Sequence, residues 1–245
     1  MSSSGPWFVA PKSQWNRGRI RLDADESRHA LKVLRLAPSN MITVTDGGGS
    51  VAVCSVGVDE GVVEAVVLET THHPHPQPDL VVYQGAGKSN KADGVIERLA
   101  ELGTSEAWVY ESQRSVVRWD DRKKRRLEER WQSISRSAAK QSRNPWMLRT
   151  GAPLPWADFV ARIEAEPLAI VLWEEATLPL RTALGERADR VALVVGPEGG
   201  LDRTEAEALA DAGAALVSLG PMILRTENAP VVAASAVLYH YGVVG

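Results

Sequence analysis

Two apolar runs in the last quarter of the chain each end in a loop that no regular element can absorb. Residues 191–195 break at Gly196-Pro197-Glu198-Gly199-Gly200, and residues 215–220 break into a loop that runs to Pro230. A polar helical pattern separates the two, and a nearly all-apolar helical pattern over 231–241 follows. The order is strand, loop, helix, strand, loop, helix. In open α/β sheets, ligands bind in the crevice beyond the carboxyl ends of the strands, where both loops start. The chemistry is expected on these two loops.

Upstream segments repeat the alternation. Residues 80–83 and 107–110 read as buried strands around a helix, 91–102, whose apolar positions Val95, Ile96, Leu99 and Leu102 share one face. Gly103 caps that helix. A long helix starts at Arg122 with its stripe on Leu127, Trp131, Ile134 and Ala138, and stops before Pro145. Residues 170–173 form another strand, leading to Glu174 and Glu175. Strands alternating with helices predict an α/β domain with a mainly parallel sheet covered on both faces.

The first 70 residues read differently. β-branched runs at 19–22, 41–45, 51–56 and 61–68, with Asp46-Gly47-Gly48-Gly49 as a turn, predict a small barrel. A short helix at 27–35 interrupts them and carries Arg28, His29, Lys32 and Arg35, either to meet a phosphate backbone or as a solvated face. Alternating prolines at 74, 76 and 78 then favour extended chain. The three histidines there have no cysteine or carboxylate cluster beside them, so a stiff junction is expected and not a metal site.

Composition excludes several classes. At 245 residues the chain can bury a sizeable core. No apolar run approaches the roughly 20 residues that span a bilayer, and the N-terminus lacks the basic and apolar regions of a signal peptide. Cys54 is the single cysteine, so no internal disulfide forms. A cytoplasmic protein without metal is expected. The net charge of −3 hides an asymmetry: residues 1–72 sum to −1, residues 73–150 to +5, and residues 151–245 to −7. A basic centre suggests an anion-binding face or a solvated helix surface.

The loops sharpen the expectation. Asp202-Arg203-Thr204-Glu205 has capping-box spacing, so a helix at 203–212 starts directly after the glycines. Gly85-Ala86-Gly87-Lys88 lacks the spacing of a phosphate loop. In the second loop Arg225 and Glu227 follow Ile223 and Leu224, which read as apolar anchors, and Pro230 suits the first turn of the next helix. That helix must be buried, in the core or against another chain.

These residues, Gly196-Pro197-Glu198-Gly199-Gly200 with 219–229 (LGPMILRTENA), closely resemble the RsmE family of 16S rRNA uridine-N3 methyltransferases, of the SPOUT class. The resemblance extends along the chain through residues 29–35 (HALKVLR), Lys88 with 97–103 (ERLAELG), Arg114-Ser115, and 139–143 (AKQSR). It implies a PUA-like RNA-binding β-barrel over 1–72, a linker over 73–79, and a SPOUT methyltransferase domain over 80–245 whose C-terminal segment threads a trefoil knot. It also implies a homodimer that binds S-adenosyl-L-methionine (SAM) and acts on 16S rRNA or the small ribosomal subunit.

Carried over residue by residue, the SAM site takes Leu172, Glu174, Gly196, Pro197, Glu198, Gly199, Gly200, Leu219, Gly220, Ile223, Leu224, Thr226 and Asn228. RNA contacts fall to Arg28, Lys32, Arg35, Lys88, Arg114 and Arg143. Uracil N3 is a poor nucleophile while protonated, so the site must favour the anion. Arg225 is the candidate to stabilise its charge in a water-poor pocket, and Glu227 the candidate base. The chain departs from the family at Met222, where arginine is common, at Asn228 (threonine), at Pro230 (a small residue) and at Lys140 (glutamate). Alternative readings are a SPOUT enzyme acting on another RNA such as tRNA, and an RNA-binding protein without catalysis.

Overall fold

A computed structural model describes residues 5–87, 91–113 and 119–245. The chain packs as two compact units, Met1–His75 with Arg136–Met147, and Pro76–Ser135 with Leu148–Gly245. The first unit carries β1 (Trp7–Val9), β2 (Trp15–Asn16), β3 (Arg19–Arg21), α1 (Ala24–Arg28), β4 (Met41–Thr45), β5 (Ser50–Ser55), β6 (Val58–Asp59) and β7 (Val62–His72). The pairing path runs β1-β4-β5-β7-β3-β2, with β6 on β7, and among the described residues it stays open. Asp46 makes the β4–β5 reversal: its Oδ1 accepts from the Gly48 and Ser50 amides at 2.8 and 2.9 Å, an Asx turn.

Alternate side chains of these strands, among them Phe8, Ile20, Ile42, Val44, Ala52, Val63 and Ala65, form one buried core. Cys54 lies in it, and burial pushes its thiol up to about 12, so it stays protonated at neutral pH. The short helix begins before the expected residue 27, because Asp23 accepts from the Glu26 amide at 2.8 Å and caps it. It continues through a π-turn over His29–Val33. The buried Glu26 carboxylate is met by Lys140 Nζ at 2.8 Å.

The second unit holds β8 (Asp79–Gly85), α2 (Lys91–Leu102), β9 (Glu106–Tyr110), most of α3 (Asp121–Ser142), α4 (Trp156–Glu164), β10 (Ala169–Leu172), α5 (Leu180–Ala183), β11 (Arg190–Val195), α6 (Arg203–Asp211), β12 (Ala215–Val217) and α7 (Ala229–His240). Its five strands pair in the order β12-β10-β11-β8-β9, and every pairing is parallel. Strand neighbours therefore put all their carboxyl ends on one edge. Side chains alternate across the sheet. Tyr83, Val171, Ala192 and Val194 share a core with Phe159 and Ile163 of α4 and Leu209 of α6. Helices α2 and α7 pack against each other, and α7 packs against β8 and β11. The stacked Tyr110 and Phe159 rings lie 3.9 Å apart. Each such buried side chain contributes roughly 1.5–3 kcal/mol.

At the amino ends of the strands, Arg190 donates to Glu166 at 2.6 and 3.0 Å and to Glu106 at 3.0 Å. Burial alone would raise the Glu106 carboxyl. Hydrogen bonds from Trp108 and Arg190, with the charges of Arg149 and Arg190, outweigh burial and hold it below the usual carboxylate range. Among the described residues no helix is long and apolar enough to cross a membrane, and no group of three or more His, Cys, Asp or Glu side chains could hold a metal ion.

Candidate active site

The loops after β10, β11 and β12 enclose a cavity of ≈ 1090 Å³. A ligand of drug size fills roughly 300–1,000 Å³, so the space is generous for one small molecule and its reaction partner. It opens at the carboxyl edge of the parallel sheet, where the sequence pattern placed the chemistry.

Local chemistry sets each loop. After β11, Gly196 is followed by a turn in which the Gly200 amide donates to the Pro197 carbonyl at 2.9 Å, with Gly200 at φ +70. That left-handed angle is open to glycine at little cost. The capping box is complete: Asp202 accepts from the Glu205 amide at 2.8 Å, and Glu205 accepts from the Asp202 amide at 3.1 Å. Glu205 is fully buried and also accepts from the Gln113 amide at 2.6 Å.

Two side chains join the loops. The Thr226 hydroxyl donates to the Gly196 carbonyl at 2.7 Å and accepts from Gln84 Nε2 at 2.8 Å. Gln84, near the end of β8, is buried and also reaches the Gly196 carbonyl at 3.3 Å. Gly85 lets this happen, because a Cβ there would run into the backbone of Pro197. Lys91 opens α2 and stands 3.3 Å from Glu227 and 3.5 Å from Glu198. The Glu227 carboxyl is held below the usual range, first by its own backbone amide, then by Lys91 and Arg225 against desolvation.

The cavity brings together Leu172, Glu174, Gly196, Pro197, Glu198, Gly200, Leu219, Gly220, Ile223, Leu224, Arg225, Thr226 and Glu227 from the expected set. Gly199 and Asn228 do not line it. Asn228 stands at the amino end of α7 and makes no side-chain cap there. Ile223 is not an anchor: it is 84% exposed, since the loop carries it to the rim, while Leu224 is half-buried. Arg225 is likewise exposed, so in the free chain its guanidinium is not held in a water-poor pocket. Met222 also lines the cavity, at 77% exposure.

Of the expected RNA contacts, Arg28, Lys32, Arg35 and Arg143 are exposed on the first unit, Arg28 paired with Asp25 at 2.7 Å. Lys88 and Arg114 lie outside the described residues. The sequence reading passed over Gln84 and Lys91. Both carried a usable signal: a polar residue ending an apolar strand run, and a lysine at a helix start just beyond that strand.

Known proteins match this arrangement. The family model described as an RNA methyltransferase domain covers residues 73–238. Ribosomal RNA small subunit methyltransferase E of Mycobacterium bovis is 36% identical over 221 residues, which span 88% of this chain and 84% of that protein. Its namesake in Bacillus subtilis is 30% identical over 227 residues, 89% of each chain. The crystal structure of ribosomal RNA small subunit methyltransferase E from Neisseria gonorrhoeae, bound to S-adenosyl methionine, superposes with a TM-score of 0.83 at 25% identity. That match covers 96% of this chain and 97% of the other. With its sheet, its loops and its length shared in this way, the chain belongs to the RsmE family of RNA methyltransferases.

Proposed function

We propose that this protein transfers a methyl group from SAM to N3 of a uridine in 16S rRNA of the small ribosomal subunit. The observation that carries the reading is the cavity at the carboxyl ends of β10, β11 and β12, lined by the residues the family motifs single out. Glu174, Glu175, Glu198 and Glu227 line it against Lys91 and Arg225, a balance suited to a cationic sulfonium. SAM, when bound, supplies an electrophilic methyl carbon, and no metal is required for that displacement. The chain's part is to hold the base in line and close, which by itself lowers the barrier substantially.

In this reading the loop backbones after β11 and β12, kept in register by Thr226 and Gln84, seat the donor together with Leu172, Glu174 and Leu219. Asn228 and Gly199 act behind that surface. Glu227 takes the N3 proton and Arg225 moves over the uracil oxygens as the cavity fills. The target base is unpaired or flipped out, since N3–H is otherwise paired. Arg28, Lys32, Arg35 and Arg143, with Lys88 and Arg114, grip the phosphate backbone, so binding weakens steeply with salt. The first 72 residues serve as the PUA-like RNA-binding domain, built on an open sheet, 73–79 as the linker, and 80–245 as the knotted SPOUT domain. The chain works as a cytoplasmic homodimer, with α7, which exposes Val232 and Tyr239, at the subunit contact.

The test is incubation with methyl-labelled SAM and unmodified small subunits, naked 16S rRNA or tRNA, followed by analysis of the labelled nucleoside. Label in 3-methyluridine from small-subunit RNA is expected. Label confined to tRNA, or no transfer to any RNA, overturns the reading.

A further inference from the structure

Lys91 is the one described cavity-lining cation besides Arg225. Its ammonium lies between two carboxylates, Glu227 Oε2 at 3.3 Å and Glu198 Oε1 at 3.5 Å. An ammonium has three donors, and these two partners leave one directed elsewhere. Lys91 keeps 39% of its side chain exposed, so it can reach a bound group without unfolding α2. The charged groups facing Glu227 are thus Lys91 from α2 and Arg225 from its own loop, and Glu198 from the loop after β11 meets the far side of Lys91.

Counted together, Lys91, Arg225, Glu198 and Glu227 carry no net charge. Moving a proton onto Glu227 leaves the set at one positive charge as the uracil becomes an anion. The Lys91 ammonium then loses Glu227 as a charged partner and keeps Glu198. Its loss to Glu227 coincides with the appearance of charge on uracil O2 and O4.

We propose that Lys91 is a second catalytic residue: it holds Glu227 charged and placed before the reaction, and donates to a uracil carbonyl oxygen as the N3 proton passes to Glu227. The step balances. The N3–H bond breaks with its pair left on N3 and its proton on Glu227, the N3 pair bonds the methyl carbon of SAM, and the C–S pair stays on sulfur. Water later takes the proton from Glu227. After its own backbone amide, the Lys91 contact lowers the Glu227 carboxyl and so weakens it as a base in the free enzyme. Exchanging that contact for one to the uracil anion removes the weakness as the reaction proceeds.

The inference rests on the methyl-transfer reading above, and its test keeps the two apart. Full-length wild type, K91M, K91R and E227Q are compared on small subunits reconstituted with 16S RNA containing uridine or 5-fluorouridine, whose N3–H is more acidic. For K91M, kcat on uridine is expected to fall about 100-fold, the loss typical of one oxyanion donor, while SAM affinity by calorimetry stays within about 3-fold. The deficit shrinks roughly 10-fold on 5-fluorouridine and as pH rises, because a base already ionised needs less help; K91R restores part of the rate. Wild-type kcat in K91M, or an equal loss on both substrates with SAM binding gone, overturns the proposal. E227Q at the wild-type rate overturns the pairing. A wild-type enzyme that leaves uridine N3 unmethylated removes the functional reading before the variants are compared.

Discussion

The Thr226 hydroxyl donates to the carbonyl of Gly196 across 2.7 Å, joining two cavity loops thirty residues apart in the chain. Each loop leaves a strand and enters a helix, α6 or α7, and this bond ties the two loops together between those ends. Gln84 Nε2, donating to the same hydroxyl, orients it. Thr226→Val keeps the shape and removes the donor. Loss of one such bond costs about 1–1.5 kcal/mol, and SAM affinity should fall roughly 5- to 10-fold. Calorimetric titration checks this; unchanged affinity would mean the loops are held by other contacts.

Gly85 is a tighter case. Its missing Cβ is where the Pro197 backbone runs. Gly85→Ala must push the β11 loop away and is expected to cost about 1–3 kcal/mol in stability, the range for overpacking. Its SAM affinity should drop more than that of T226V, because the whole turn shifts. Comparing Tm with Kd for the two variants separates loop displacement from general destabilisation.

The Lys140–Glu26 pair makes a prediction away from the cavity. Glu26 keeps 4% of its side chain exposed, and Lys140 answers its charge at 2.8 Å. The substitution K140E places two carboxylates together, one of them buried. Breaking a buried pair costs on the order of 3 kcal/mol, and Tm should fall by several degrees. The swap E26K with K140E should recover part of it. Equal stability of K140E and wild type would show that the pair contributes nothing to folding.

Acid stability should follow the Arg190 cluster. The Glu106 carboxyl is depressed in the folded chain. A depressed carboxyl contributes stability that is complete above its unfolded pKa and is lost as pH falls through its folded one. R190M removes partners from both Glu106 and Glu166. Its Tm should be lower at neutral pH, by the equivalent of about 3 kcal/mol, and its remaining stability should decline less steeply below the ordinary carboxylate range. Parallel Tm-versus-pH curves for wild type and variant would contradict this.

Much of the second unit was legible because its signals are local. The apolar runs of β8, β9, β10 and β11 are each long enough to read, Gly103 ends α2 at φ +83, and Asp202 with Glu205 fixes the start of α6. The first unit was read less sharply. The run at 61–68 became an eleven-residue β7 that starts at Val62, and a two-residue β6 at 58–59 precedes it, because Glu60 and Gly61 both take positive φ and turn the chain between them. The sheet there follows an open path, which strand patterns alone do not specify.

The sequence by itself determined which elements form and which loops carry the chemistry, since periodicity, capping and glycine placement act over a few residues. Only the tertiary structure decided the company each loop residue keeps. Gln84 meets Thr226 across 142 positions, and Lys91 meets Glu227 across 136. It likewise put Ile223 and Arg225 on an exposed rim and left Asn228 and Gly199 off the cavity wall. Such meetings depend on parallel strands bringing their carboxyl ends to one edge, and the order β12-β10-β11-β8-β9 that does so arises from packing between distant segments, not from any one of them.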